Sequence, residues 1–144
     1  MINLMNSHSS SAAETSVDPI TLTMWWNKLI TIVDESQATL LRTAFSRIVT
    51  ESWDFSCALF DAKGEMVALG RHGLPAFTGC MMFAMKDFLK SYPPSKLQPG
   101  DSLITTDPWI GASQINDVFF VTPIFRDSEL VAFAMSVSHS PDVG

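Results

Sequence analysis

Cysteine is nearly absent: Cys57 and Cys80 are the only thiols in 144 residues. A chain of 15.9 kDa is long enough to bury about two-thirds of its unfolded surface without covalent staples. A disulfide framework is therefore not its organising principle, and a reducing compartment is the simpler reading. Two thiols so placed form neither a zinc ribbon nor a Cys-x-x-Cys pair, and both read as small buried hydrophobes. Basic residues are also scarce, with nine Lys and Arg against 15 Asp and Glu, a net charge of −6. That balance repels phosphate backbones and anionic headgroups, which argues against nucleic acid or a membrane surface as partner. The stretch 1–17 has no Lys or Arg and no continuous apolar run, so it fails as a secretory signal. Elsewhere the uncharged runs are broken by Pro, Gly and polar residues and do not make a spanning helix, which leaves a cytoplasmic protein as the expectation. No phosphate-binding glycine loop and no Gly-x-Ser-x-Gly elbow occurs, so a nucleotide, if used, sits elsewhere.

What is present is an ordinary globular interior: 47% hydrophobic and 17% charged residues. Residues 1–17 offer little to bury and are expected to form a disordered leader, followed by a domain over 18–144. Asp18-Pro19 predicts a helix start, because the carboxylate caps exposed amides and proline loses no bond at the first helical position. Leu22, Trp25, Leu29, Ile32 or Val33, Leu40, Ala44 and Ile48 then recur at helical spacing, predicting one long helix that frays after Arg42. From Phe55 to Leu69 the period changes to that of a hairpin, with Gly64 supplying the positive φ of its turn. Beyond a connector over 70–79, Met81, Met85, Phe88 and Tyr92 predict a second helix that ends at Pro93-Pro94. This Met stripe reads as core. Ser102–Thr105 predicts a short strand. Val118–Phe125 and Leu130–Ser138 predict a buried hairpin, with Pro123 at an edge or a bulge. The order helix, hairpin, helix, strands predicts an α+β fold with mostly antiparallel strands.

Polar residues gather at two strand ends. Asp107 and Asp117 bracket a loop that also holds Trp109 and Gln114. Two carboxylates there can converge on a cation or a reacting group; equally, Asp107 can cap a turn and Asp117 can be a solvated loop acid. After the last strand comes His139-Ser140-Pro141-Asp142. An imidazole and a carboxylate three residues apart suit Mn, Fe or Zn if the chain turns between them, or else hold a turn by a hydrogen bond without metal. His8 and His72 suggest no role.

Taken in order, these segments resemble the N-terminal part of the hydantoinase B/oxoprolinase family, which includes subunits of acetone and acetophenone carboxylases. The resemblance rests on Asp18-Pro19-Ile20, Arg42-Thr43-Ala44-Phe45-Ser46, Asp54-Phe55-Ser56-Cys57-Ala58-Leu59-Phe60-Asp61, Leu97-Gln98-Pro99-Gly100-Asp101, Asp107-Pro108-Trp109, Val121-Thr122-Pro123-Ile124-Phe125 and His139-Ser140-Pro141-Asp142-Val143-Gly144. It implies a truncated portion of a larger fold. It also implies a B-type subunit that works with an A-type partner of the acetate-and-sugar-kinase fold, where ATP and Mg would be used on a cyclic amide or a ketone. By motif, His139 and Asp142 correspond to metal ligands for Mn, Zn or Fe; Asp117 is the expected catalytic group, and Asp107, Trp109 and Gln114 are expected to bind substrate. The chain departs from the family pattern at Thr106, where Asn is usual, and at Gln114, where His is usual. A further His of the metal set is expected beyond Gly144, so these 144 residues alone are expected to be inactive. The alternatives are a ketone carboxylase subunit and a non-catalytic scaffold that only docks to the A-type subunit.

Overall fold

The computed structural model describes residues 17–111 and 114–142; the expected leader falls outside this range except for Val17. Helix α1 (Pro19–Thr43) starts as its sequence dictates. The Asp18 carboxylate accepts from the amides of Ile20 and Thr21 at 3.1 and 3.0 Å. Hydrogen bonds from the Thr21 hydroxyl and from those two amides hold that carboxyl below its usual pKa. The apolar periodicity past Arg42 does not continue the same helix. The chain is extended at Ala44 and restarts as the short helix α2 (Arg47–Ser52), so Ile48 belongs to a separate element. Trp53 in the left-handed conformation (φ 57°) then ends α2.

Strands β1 (Phe55–Asp61) and β2 (Met66–Leu69) form the expected hairpin, with Gly64 at φ 84° in its turn. Helix α3 (Phe77–Ser91) starts inside the segment read as connector, and β3 (Leu103–Thr105), β4 (Asp117–Arg126) and β5 (Glu129–His139) complete the fold. All pairings are antiparallel and the sheet order is β2-β1-β5-β4-β3, so the C-terminal hairpin docks its second strand against β1.

Strand alternation sends successive side chains to opposite faces, and each face receives a helix. Ala58, Phe60, Phe119, Val121, Phe133, Met135 and Val137 pack with Phe77, Met81, Met85 and Phe88 of α3 in one core. Phe55, Cys57 and Ala68 pack with Val33 and Val49 in the other. The Met stripe is thus core, and burial pushes the Cys57 thiol up to about 12, which leaves it inert as a nucleophile. Pro123 is buried on β4 beyond the last residue paired with β3, an edge position that needs no amide donor. The N-terminal half of α1 keeps Ile20, Met24, Trp25 and Trp26 exposed. Among the described residues no helix is long and apolar enough to cross a membrane.

One polar device ties α1 to the connector after β2. Gln37, only 1% exposed, faces the His72 peptide: its Nε2 donates to the His72 carbonyl and its Oε1 accepts from the His72 amide. One turn away, Asp34 accepts from the Arg71 amide at 2.8 Å and from its guanidinium at 2.7 Å. Gln37→Ala leaves two backbone groups without these partners, and we expect a loss of about 1–3 kcal/mol, measured by urea unfolding. Desolvation alone would raise the Asp34 pKa, but the Arg71 amide and guanidinium outweigh it and hold the carboxyl low. A depressed folded-state pKa contributes stability above the unfolded value near 3.9, and that contribution disappears as pH falls through the folded value. Asp34→Asn is therefore expected to be less stable than the parent at neutral pH, with the difference shrinking in acid unfolding titrations.

Candidate functional site

The site is built by β4 and β5, whose residues alternate in and out of the α3 core. On β4, Asp117, Phe119 and Val121 are buried; on β5, Phe133, Met135 and Val137 are. Asp117 and His139 continue these rows by one step and are direct cross-strand partners, so their side chains emerge on the same face. The register behind this meeting is interrupted. Arg126 pairs with Glu129 across a two-residue turn of Asp127 and Ser128, both at positive φ, and a bulge between Ile124 and Phe125 shifts the pairing by one. Without the bulge the turn would set Asp117 opposite Ser138 and send His139 to the other face.

The Asp117 carboxylate is fully buried and its Oδ1 lies 2.9 Å from His139 Nδ1. From the open side, Gln114 Nε2 approaches the same Nδ1 at 3.0 Å. Gln114 is positioned by the turn into β4, in which the Asp117 amide donates to its carbonyl at 3.1 Å. The end of β5 is clamped on both sides: the His139 amide donates to Asp54 at 3.0 Å and the Ser140 amide to Asn116 at 2.8 Å. An imidazole nitrogen carries either one proton or one lone pair. Protonated, Nδ1 donates to Asp117 and requires the amide oxygen of Gln114 to face it; unprotonated, it accepts from the Gln114 amide and faces the carboxylate lone pairs. The Asp117 carboxylate and the Gln114 amide thus meet at the same imidazole nitrogen.

The other candidates are dispersed. Asp107 is exposed; its Oδ1 accepts from the Trp109 amide at 2.9 Å and its own amide donates to Thr105 at 3.0 Å, the geometry of a side-chain-capped turn. Trp109 is 91% exposed. Asp142 is exposed beyond the end of β5, with interactions of its own. Asp117 is not a solvated loop acid: it is the first residue of β4 and interior. A cavity of about 660 Å³ lies on the opposite face between α1 and the sheet, lined by Ser36, Thr39, Cys57, Leu59, Phe120 and Ser136. It holds none of the residues that the sequence singled out for chemistry. The Asp117–His139 pairing is the feature missed from sequence; equal alternation in both strands was the signal that could have revealed it.

A scan against family models matches residues 18–144 to hydantoinase B/oxoprolinase. The chain belongs to this family. It is 37% identical over 137 residues to the 5-oxoprolinase of Saccharomyces cerevisiae, a match that covers 94% of this chain and 10% of that protein. Among solved structures, the ATP-dependent caprolactamase of Pseudomonas jessenii superposes with a TM-score of 0.71 at 28% identity, covering 87% of this chain and 21% of that one. Nucleotide-free acetone carboxylase shares the fold, with a TM-score of 0.75 at 24% identity over 85% of this chain and 16% of that one. The chain thus spans about a tenth of the length of the first curated relatives it matches.

The loop that carries this family member's site is held against α3 at Gly111. A Cβ there would lie 2.7 Å from both the Ala84 Cβ and the Cys80 carbonyl, and φ is 82°. We expect Gly111→Ala to lower stability by about 1–3 kcal/mol through backbone strain alone, read by thermal or urea unfolding.

Proposed function

We propose that this chain forms the N-terminal part of the B-type component of an ATP-dependent cyclic-amide hydrolase, of the hydantoinase and 5-oxoprolinase kind. The observation that carries the reading is the buried Asp117 carboxylate held 2.9 Å from His139, with Gln114 at 3.0 Å on the exposed side of the same nitrogen. The likeness to a 5-oxoprolinase and a caprolactamase supports an amide substrate.

The donor set suits a divalent ion such as Mn, Zn or Fe. Among the described residues no three His, Cys, Asp or Glu side chains come together, so the amide of Gln114 has to serve as third donor unless groups elsewhere contribute. Asp142 is the metal ligand implied by the family motif. A bound metal would polarise an activated amide or lower the pKa of a water. His139 and Asp117 would hold the ion and fix each other's orientation, and Gln114 would face incoming substrate at the open side. Trp109 and Asp107 belong to the adjoining loop, the Trp109 indole offering an apolar surface and the Asp107 cap keeping the turn closed. Asp117, as the buried acid, would orient the reacting group. ATP and Mg would be handled by an A-type partner subunit of the acetate-and-sugar-kinase fold, in keeping with the lack of a phosphate loop here.

Gln114 in place of an imidazole favours a second reading, a non-catalytic scaffold that docks to the A-type subunit. Metal analysis and ATP-coupled turnover of the full-length protein with its partner, for the parent and for His139→Ala, Asp117→Asn and Asp142→Ala, separate the two. We expect metal content and turnover to fall at least tenfold in the first two variants, and in Asp142→Ala if the motif assignment holds. Unchanged values for His139→Ala and Asp117→Asn would remove the catalytic assignment. Absence of turnover in the parent would favour the scaffold, and bicarbonate-dependent turnover would indicate a ketone carboxylase.

A further inference from the structure

We infer that the open face of β5, β4 and β3 seats a helix from elsewhere in the same full-length polypeptide, laid beside α1. This extends the reading proposed above, in which the chain is the N-terminal part of a longer component, and rests on it. One cross-sheet row shows the need for a cover. Ile104 pairs with Phe120, Phe120 with Ser136 and Ser136 with Cys57, so the four side chains share a face. Cys57, at the α1 end of the row, is 5% exposed, whereas Phe120 is 41% and Ile104 63% exposed. Ile124, further along β4 on the same face, is 37% exposed. Among the described residues this face is packed by α1, on β1 and β2, and by the short α2. A helix about 10 Å wide covers about two strands spaced about 4.8 Å apart, so α1 leaves β5, β4 and β3 open. Yet β4 sends Phe119 and Val121 to the α3 core and Phe120 and Ile124 the other way. A strand that is apolar on both faces is built to be covered on both, whereas one with a wetted face alternates with polar residues.

The groove between α1 and this face, about 660 Å³, has a single charged residue in its lining, Glu35. Its α1 wall includes Ser36, Thr39 and Thr43, whose hydroxyls donate to the carbonyls of Ile32, Glu35 and Thr39 at 2.9 to 3.0 Å. Each of these donors is satisfied within α1, so the wall can meet an apolar neighbour without water. Side chains this small also permit helix axes to approach to about 8–10 Å, and Ala134 and Ser136 of β5 leave the floor low. Covalent continuity selects the occupant. The chain matches its first curated relatives over nearly its whole length but spans only about a tenth of theirs. In those proteins the segment always has further chain attached, and a tethered element meets the face at high effective concentration. A partner that comes and goes would leave an apolar patch exposed between encounters.

The test is hydroxyl-radical footprinting of the unsubstituted full-length protein, alone and dilute. Modification of Ile104, Phe120 and Ile124 is read by peptide mass spectrometry against the urea-unfolded protein. We expect each site to be protected at least tenfold, more than its exposure in this segment allows. Protection that arises only with the A-type subunit, or only as protein concentration rises, assigns the face to a partner or a second copy and overturns the inference. Absence of protection under all of these conditions overturns it too. The photo-cross-linker p-benzoylphenylalanine, placed singly at Phe120, Thr122 and Ile124, then identifies the occupant; should a substituted protein fail to fold, the footprint of the unsubstituted one still decides whether the face is covered from within the chain. We expect intrachain products whose acceptor residues lie three or four apart in sequence. Acceptors two apart mark a strand and interchain products mark a partner, and either result overturns the seated helix. Neither readout needs metal or turnover, so failure of the hydrolase reading in its own assays is distinguishable from failure here.

Discussion

Strand β5 is hydrogen-bonded along both edges, to β1 over Phe55–Asp61 and to β4 over its whole length. It therefore fixes two hairpins that are remote in sequence, and its alternation decides what each sheet face carries. Phe133, Met135 and Val137 go to α3; Ala132, Ala134 and Ser136 go to the face that α1 covers in part. Each large apolar side chain buried in this way stabilises the fold by about 1.5–3 kcal/mol. His139 is simply the next residue in the buried row. A rigid, doubly paired strand thus delivers an imidazole to the rim of the core at no added conformational cost beyond that of folding the sheet.

The same alternation explains why a carboxylate is tolerated in the interior. A buried carboxylate is costly unless it is hydrogen-bonded, and Asp117 meets His139 because both follow the buried parity of their strands. Neither residue is required by the core, which is complete with Phe119 and Val137. A polar side chain at this fully buried position is held by its contact with His139. Apolar residues on the N-terminal half of α1 stay exposed, and the chain spans about a tenth of the length of the first curated relatives it matches.

Much of the architecture was legible from local signals with a physical cause. The Asp18-Pro19 cap, the Gly64 turn, the Met stripe of α3 and the two apolar strands each follow from short-range chemistry. The errors fell where tertiary packing overrides period. Ala44 and Ile48 continue a helical spacing, yet the chain breaks between them so that α2 can bring Val49 into the core beside Phe55. Gln37 and Asp34 look like ordinary polar positions of a helix, and only the folded connector reveals that they clasp residues 71 and 72.

The candidate site divides in the same way. By itself the sequence determined most of the elements, the acidic character, the family resemblance and the list of polar residues, because capping, periodicity and motif order are local properties. It did not determine which of those residues meet. Asp107 turned inward to its own turn, while Asp117 and His139 were joined by a one-residue bulge. A two-residue turn followed by an unbroken ladder would have parted them. Burying the odd-numbered residues of both strands on one face demands the extra residue, and that demand exists only when the two strands share a core. Tertiary structure decided the pairing because parity between strands is a property of the sheet and not of either segment.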